Sequence, residues 1–307
     1  MHLSNSDSSA ARRRPVAYAL GAVFLWSTVA TAFKLTLGAV SPVQLVFGAS
    51  AVATVFFSGS LLIRGRFRHK NAPIVPRSSA DWIRSAVSGL LNPFLYYLVL
   101  LTAYSRLLGQ EALALNYVWP MVLVVMSIPL LKARLGIRSG AALIISFVGV
   151  LVIASRGSIR SMSLSDPLGV ALALGSSIIW SGYWLLNMKD RRDDTAKLCL
   201  GFCFGTAYSL IALVVTRSFS IPTVGGVMGA AYVGLFEMGI TFSLWLRALK
   251  LSPSPALVSN FVYISPFLSL VLLRFVLGES LLVSTFVGLV FIIGGIGLQQ
   301  ISSTKPG

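Results

Sequence analysis

The sequence Asn116-Tyr117-Val118-Trp119-Pro120 interrupts the middle of an apolar run, and a similar sequence, Asn260-Phe261-Val262-Tyr263 with Pro266 just beyond, interrupts a later one. Proline inside a helix removes one backbone hydrogen bond and kinks the chain. Within a membrane, such a defect is tolerated only against protein or a water-filled cavity. Corresponding interruptions in two halves of a membrane protein indicate a binding site between the halves. We therefore predict that both prolines kink their helices beside a central cavity.

Two further patterns recur in the same order along the chain. A Trp-Ser pair follows a glycine by five residues in both regions, and two glycines lie nine residues apart in a later run of both regions: Gly21 and Trp26-Ser27 match Gly175 and Trp180-Ser181, and Gly140 and Gly149 match Gly288 and Gly297. Each match alone is weak, but three matches in one order indicate an internal duplication.

The composition requires a membrane as the solvent. The chain has 307 residues, of which 56% are hydrophobic and 11% charged, whereas soluble domains carry about 25% charged residues. Its apolar runs are continuous and about twenty residues long, as spanning helices require, rather than short and alternating as in a β-barrel. We predict an all-α polytopic membrane protein with ten transmembrane helices, at residues 15–36, 42–63, 81–104, 109–131, 138–155, 168–188, 197–216, 224–246, 254–277 and 281–301.

Ten spans divide into two groups of five. Because five is an odd number, the second group enters the membrane upside down relative to the first, which gives two inverted five-helix repeats around a central cavity. The predicted organisation is a tail at 1–14, a first repeat at 15–155, a linker at 156–167, a second repeat at 168–301 and a tail at 302–307.

The basic residues are distributed unevenly between alternate loops. Of the 25 Lys and Arg in the chain, the smaller group lies on one side and comprises Lys34, Arg106, Arg156, Arg160, Arg217 and Arg274, whereas the others lie on the side of the two termini. The positive-inside rule therefore places both termini in the cytoplasm. This topology also accounts for the net charge of +16, so we expect no nucleic-acid partner.

Aromatic and amide side chains surround the two prolines at mid-depth. Interfacial tryptophans lie at span ends, so a mid-span tryptophan either lines a cavity or packs in the core. A buried amide needs a partner, which is either a solute or a hydrogen bond that only holds the bundle. We predict a site for a small organic solute with an apolar body and polar ends, and a poor site for a metal ion. Its residues are Asn116, Tyr117, Trp119, Trp180, Tyr183, Asn260, Tyr263, Trp26, Tyr96 and Tyr97, with helix kinks at Pro93, Pro120 and Pro266.

Glu237 is the acidic residue that lies clearly within a predicted span. An acid within the membrane is a functional-site candidate. It is predicted to accept a proton or to pair with a substrate ammonium, and a paired structural glutamate is the alternative. Since no second buried acid or histidine forms a proton relay, facilitated movement is favoured over proton-driven exchange.

Other classes of function lack their sequence signatures. The chain contains no H-E-x-x-H and no P-loop, so it is not expected to be an enzyme. The two histidines lie far along the chain from Cys199 and Cys203, so we expect no metal and no cofactor. Small-residue spacings such as Gly201-x-x-x-Gly205 are interpreted as internal packing, and the protein is expected to be a monomer.

The chain resembles the drug/metabolite transporter superfamily, of the type with EamA-like repeats, over about residues 15–301. The residues that carry the resemblance are the interrupted spans, the Leu277-Gly278-Glu279 sequence and the paired glycines of the fifth and tenth spans. The resemblance implies a basket of ten helices in the bacterial inner membrane that exports amino acids by alternating access. It further implies that Tyr117, Trp119 and Trp180 line the substrate path.

One departure from the family and two alternatives remain. Residues 131–136 lack the glutamate that follows Leu-Gly in the second half. Because one fold serves many substrates, a cationic drug, a purine or another metabolite is the alternative to an amino acid, with aromatic and other neutral amino acids favoured. A passive channel is disfavoured, since channels need a continuous pore with polar rings.

Overall fold

The computed structural model of the protein describes residues 5–67, 78–131, 137–158, 166–252 and 260–303. Every regular element in these residues is helical. Two π-helical segments, Leu90–Leu95 and Val233–Thr241, and one 3-10 turn, Asn260–Ile264, lie between α-helices. The α-helices are α1 Asn5–Leu37, α2 Pro42–Phe67, α3 Ser79–Gly89, α4 Tyr96–Arg106, α5 Gly109–Asn116, α6 Trp119–Leu131, α7 Ile137–Ala154, α8 Pro167–Lys189, α9 Asp194–Val215, α10 Val224–Tyr232, α11 Phe242–Leu251, α12 Ser265–Leu277 and α13 Val283–Ser303.

Within the described ranges, six helical segments are long and apolar enough to cross a membrane: Arg14–Leu37, Pro42–Ile63, Ser79–Arg106, Pro167–Lys189, Asp194–Val215 and Val224–Leu251. Three shorter apolar helices are Gly140–Ala154, Phe261–Leu277 and Val283–Leu298. The predicted all-helical polytopic membrane class is thus confirmed, whereas the number of ten spans and their inverted arrangement stay predictions.

The proline-containing spans differ from the predicted kinked helices. The span predicted at 109–131 is divided into α5 and α6 by a turn at Tyr117 and Val118. Pro266 is the second residue of α12 and follows the 3-10 turn, so it begins a helix, a position where the missing N–H costs little. Pro93 lies in the first π-helical segment, after Asn92 in a non-helical conformation.

Helices α7 and α13 form a long mutual contact. A Cβ atom on Gly149 would lie 2.5 Å from the carbonyl oxygen of Gly288, and one on Gly288 would lie 2.6 Å from that of Gly149. Only glycine permits such an approach of two backbones. Gly140 and Gly297, the outer members of the predicted pairs, face open space. The contact therefore uses one glycine of each pair.

Side-chain caps begin several of the helices. Asp166 accepts a hydrogen bond from the backbone N–H of Gly169 at 2.8 Å and pairs with Arg106 at 2.9 Å. The Gly169 hydrogen bond, with the contribution of Arg106, lowers the pKa of Asp166 below its ordinary value although desolvation opposes the shift. Ser78, Asp193 and Thr223 cap α3, α9 and α10 in the same manner, as expected for N-cap residues.

Candidate solute-binding site

A cavity of about 80 Å³ lies among α1, α4, the α5–α6 turn, α8 and the second π-helical segment. A single buried water needs about 10–15 Å³, so the cavity has room for several waters. Seven of the residues that the sequence predicts for the site line this cavity: Trp26, Tyr96, Asn116, Tyr117, Trp119, Trp180 and Glu237.

The α5–α6 break is stabilised from the neighbouring helix α8. Pro120 has no N–H, so the carbonyl of Asn116, four residues earlier, loses its helical donor. The hydroxyl of Ser177 donates to that carbonyl at 2.9 Å, and the hydroxyl of Ser181 donates to the carbonyl of Trp119 at 2.9 Å. The break is thereby supplied with the hydrogen bonds that a low-dielectric environment demands.

The second proline frees a carbonyl that a cavity residue satisfies. Pro266 removes the helical donor of Val262, and the hydroxyl of Tyr117 donates to the Val262 carbonyl at 3.4 Å. Val262 also lines the cavity. The two breaks are therefore joined through one tyrosine.

The side chain of Asn116 is held by two partners within the protein. Its Nδ2 donates to the hydroxyl of Ser176 at 2.8 Å, and its Oδ1 accepts from the hydroxyl of Tyr96 at 3.4 Å. An amide in this setting is oriented before any solute arrives. The asparagine thus lines the cavity and also holds the bundle, two roles that the sequence presented as alternatives.

Trp180 is the centre of the aromatic wall. Its ring stacks on Tyr96 with centroids 4.5 Å apart and on Tyr183 at 5.6 Å. Trp119 meets it edge to face at 6.4 Å. Offset stacking and edge contacts are the favoured aromatic geometries, so these rings form one continuous apolar surface.

Glu237 lies in the second π-helical segment and is 7% exposed. Its Oε1 accepts a hydrogen bond from the hydroxyl of Tyr97 at 2.9 Å. Its Oε2 is buried and has no hydrogen-bond partner among the residues that the structure describes. In the same segment the side-chain hydroxyl of Thr241 donates to the carbonyl of Phe236. The indole of Trp26 also interacts with the Glu237 carboxylate. One carboxylate oxygen is therefore held by Tyr97, and the other makes no hydrogen bond of good geometry with the described residues.

Several predicted residues lie outside the cavity lining. Tyr97 is fully buried and is connected to the cavity by its hydrogen bond to Glu237. Tyr183 stacks on Trp180 and does not itself line the cavity. Tyr263 is half-buried and packs against the core. The side chain of Asn260 is outside the described part of the structure. Pro93, Pro120 and Pro266 act through the backbone, as shown above.

Sequence reasoning missed two aromatic residues of the lining, Phe33 and Tyr104, whose rings meet at 5.3 Å. Tyr96, Leu100 and Tyr104 all line the cavity at intervals of four residues, which is the spacing of one helix face. That periodicity was present in the sequence. The contribution of Phe33, seven residues after Trp26, follows the same rule.

Polar contacts join the ends of helices from different parts of the chain. Glu279 accepts hydrogen bonds from the backbone N–H of Gly109 at 2.7 Å and of Gln110 at 3.3 Å. Glu111 pairs with Arg156 at 2.7 Å. Both oxygens of each of these glutamates accept hydrogen bonds from protein groups, whereas only one oxygen of Glu237 does so. No group of three or more His, Cys, Asp or Glu suited to a metal ion occurs within the described ranges.

Comparison with known proteins places this architecture in a family. The model of the EamA-like transporter family matches residues 13–155 and again residues 167–299. An uncharacterized transporter of Clostridium kluyveri is 30% identical over 182 residues, which are 57% of this chain and 58% of that protein. The aromatic amino acid exporter YddG of Ancylobacter novellus is 26% identical over 255 residues, 82% of this chain and 85% of that protein. A crystal structure of another protein has the same fold, with a TM-score of 0.65 at 22% identity over 95% of this chain and 98% of that one.

Proposed function

The chain belongs to the EamA-like transporter family, and from this premise we propose that it carries a small organic solute across the membrane through the aromatic cavity. The proposal rests on which parts of the chain supply the residues that line the cavity. Residues of the first matched segment, such as Trp119, and of the second, such as Trp180 and Glu237, face one cavity. A site between two repeats is the arrangement in which alternating access operates.

The proposed solutes are amino acids, with aromatic and other neutral ones favoured, and the proposed direction is export. The stacked rings of Tyr96 and Trp180 suit an aromatic or aliphatic side chain. The similarity to an aromatic amino acid exporter supports the same class. The cavity of about 80 Å³ must widen to admit such a solute, so transport requires the helices around the breaks to move.

The proposed membrane arrangement has ten spans in two inverted repeats, with both termini in the cytoplasm of a bacterial inner membrane. Two matches of one family model along the chain support a repeat, and the loop charges support the orientation. A different organic solute, such as a cationic drug or a purine, is the alternative within the same mechanism. A passive channel is less favoured, because aromatic rings rather than polar rings line the mid-depth cavity.

Counterflow in liposomes tests this proposal. Purified protein is reconstituted into liposomes loaded with unlabelled phenylalanine, and uptake of labelled phenylalanine is followed against leucine, lysine and a purine as competitors. We expect saturable exchange that phenylalanine and leucine inhibit more strongly than lysine. If only the purine inhibits exchange, the transported solute is a purine rather than an amino acid. Flux that does not saturate and shows no exchange would indicate a channel.

A further inference from the structure

Among the described residues that line the cavity, Glu237 is the one with a fully buried side-chain oxygen that makes no hydrogen bond. Its Oε1 is oriented by the hydroxyl of Tyr97 at 2.9 Å, while its Oε2 makes no hydrogen bond of good geometry in the described structure. A buried charge is costly unless paired. Glu111 and Glu279 show how this chain completes a structural carboxylate, since Arg156 pairs with the first and backbone N–H groups donate to the second.

The residues around this carboxylate favour a cation. Six of the described residues that line the cavity are tryptophan or tyrosine, and none is Lys, Arg or His. The faces of such rings attract cations. The nearby α1 lysine, Lys34, does not line the cavity and donates instead to the carbonyls of Tyr104 and Leu107 at 3.0 Å each. A carboxylate group on a solute therefore has no cationic partner among these lining residues.

We infer that the open oxygen of Glu237 binds the ammonium group of the solute, and that the site selects a cationic nitrogen on an apolar body whether or not a carboxylate is present. This inference rests on the proposed function and narrows it. Aromatic and aliphatic primary amines join the amino acids as substrates, whereas N-acylated amino acids are rejected. Tyr97 is a positioning residue that orients the carboxylate towards the cavity.

Three compounds with the same phenyl ring test the ammonium group and the carboxylate group of the solute separately. Phenylalanine carries both charges, 2-phenylethylamine keeps only the ammonium, and N-acetylphenylalanine keeps only the carboxylate. In counterflow of labelled phenylalanine, 2-phenylethylamine should compete at least as well as phenylalanine. N-acetylphenylalanine should compete at least about tenfold more weakly, because loss of a charge-assisted hydrogen bond in a buried site has an effect of this size. Equal competition by the N-acetyl compound would overturn the inference.

Variants locate the effect at Glu237. Glu237→Gln should remove the preference for 2-phenylethylamine over N-acetylphenylalanine, and Glu237→Asp should restore part of it. Tyr97→Phe keeps the charge and should weaken binding of the amine by a smaller factor. Asp166→Asn is the matched control, since it removes one negative charge outside the cavity and leaves an efficient N-cap; it should retain the preference. An unchanged preference in Glu237→Gln would contradict the assignment.

Direct binding separates failure of the inference from failure of the proposed function. Quenching of tryptophan fluorescence by 2-phenylethylamine is measured on the detergent-solubilised wild type and on Glu237→Gln. If no amino acid is exchanged but the wild type binds the amine and the variant does not, amino-acid transport is wrong and the ammonium site stands. If phenylalanine is exchanged and both proteins bind the amine equally, only the ammonium site is wrong. If Glu237→Gln does not fold, the three probes on the wild type still decide.

Discussion

At the first break, between α5 and α6, the hydroxyl of Ser177 donates to the carbonyl that Pro120 frees. At the second, before α12, the hydroxyl of Tyr117 donates to the carbonyl that Pro266 frees. In the aligned sequences the first proline comes four residues after its asparagine and the second comes six residues after. The freed carbonyls therefore lie at different distances from the two asparagines, and the two breaks differ in local geometry.

The breaks also differ in what they present to the cavity. The first contributes the side chains of Asn116, Tyr117 and Trp119, whereas Val262 is the described residue of the second that lines the cavity. The two breaks therefore have different roles: the first builds the wall of the cavity, and the second provides a backbone acceptor that holds Tyr117 in that wall. Substitutions at the first break should accordingly affect transport more than equivalent substitutions at the second.

Replacing each proline in turn by alanine should give the largest difference in transport between the two breaks. Pro120 is the second residue of α6, just as Pro266 is the second residue of α12. In Pro120→Ala the carbonyl of Asn116 regains a helical N–H donor, which favours a continuous α5–α6 helix through the residues that line the cavity. We expect counterflow of phenylalanine to fall by about tenfold or more. Pro266→Ala should have a smaller effect, because Val262 is the one described residue of the second break that lines the cavity, whereas Asn116, Tyr117 and Trp119 of the first break do so. Equal rates for the two variants, at equal amounts of reconstituted protein, would remove the distinction between the breaks.

A second pair of variants compares the aromatic residues at matching positions of the breaks. Trp119→Ala removes a cavity wall and the edge contact to Trp180 at 6.4 Å. An aromatic pair contributes about 0.5–1.5 kcal/mol, so we expect export to fall between about twofold and tenfold. Tyr263→Ala, outside the lining, should cause a smaller loss. Efflux from loaded vesicles measures both, with size-exclusion chromatography as the control for folding, and a larger loss in Tyr263→Ala would reverse the assignment.

The features that the sequence predicted correctly are those that depend on local composition. Continuous apolar runs predicted the all-helical membrane class. The mid-span tryptophans Trp119 and Trp180 lie in the wall of the cavity, and binding of a solute by them stays a prediction. Each proline also identified a freed carbonyl, since the missing N–H is a property of the residue itself. These inferences need no knowledge of which helices are neighbours.

The features that the sequence did not reveal depend on tertiary contacts. The second π-helical segment lies where Gly234 packs against the backbone of Ala49, so that a Cβ atom would come within 2.3 Å of its carbonyl oxygen. The donor role of Ser177 requires α8 to lie beside the α5–α6 turn. The sequence predicted one kinked helix at 109–131 and not the end of α5 between Asn116 and Trp119. Both residues nevertheless reach the cavity.

The smallest expected effects are on stability and come from the loss of the hydrogen bond made by Ser177 at the first break or by Tyr117 at the second. Ser177→Ala leaves the carbonyl of Asn116 unpaired, which should lower stability by about 1–3 kcal/mol. Tyr117→Phe loses a bond of 3.4 Å, longer than the usual 2.7–2.8 Å of hydroxyl donors, and should lower stability by about 0.5 kcal/mol. Thermal unfolding in detergent should therefore rank Ser177→Ala below Tyr117→Phe, and Ser177→Thr, which keeps a hydroxyl, should lie near the wild type. The reverse order would mean that the second break, through Tyr117, contributes more to the fold than the first.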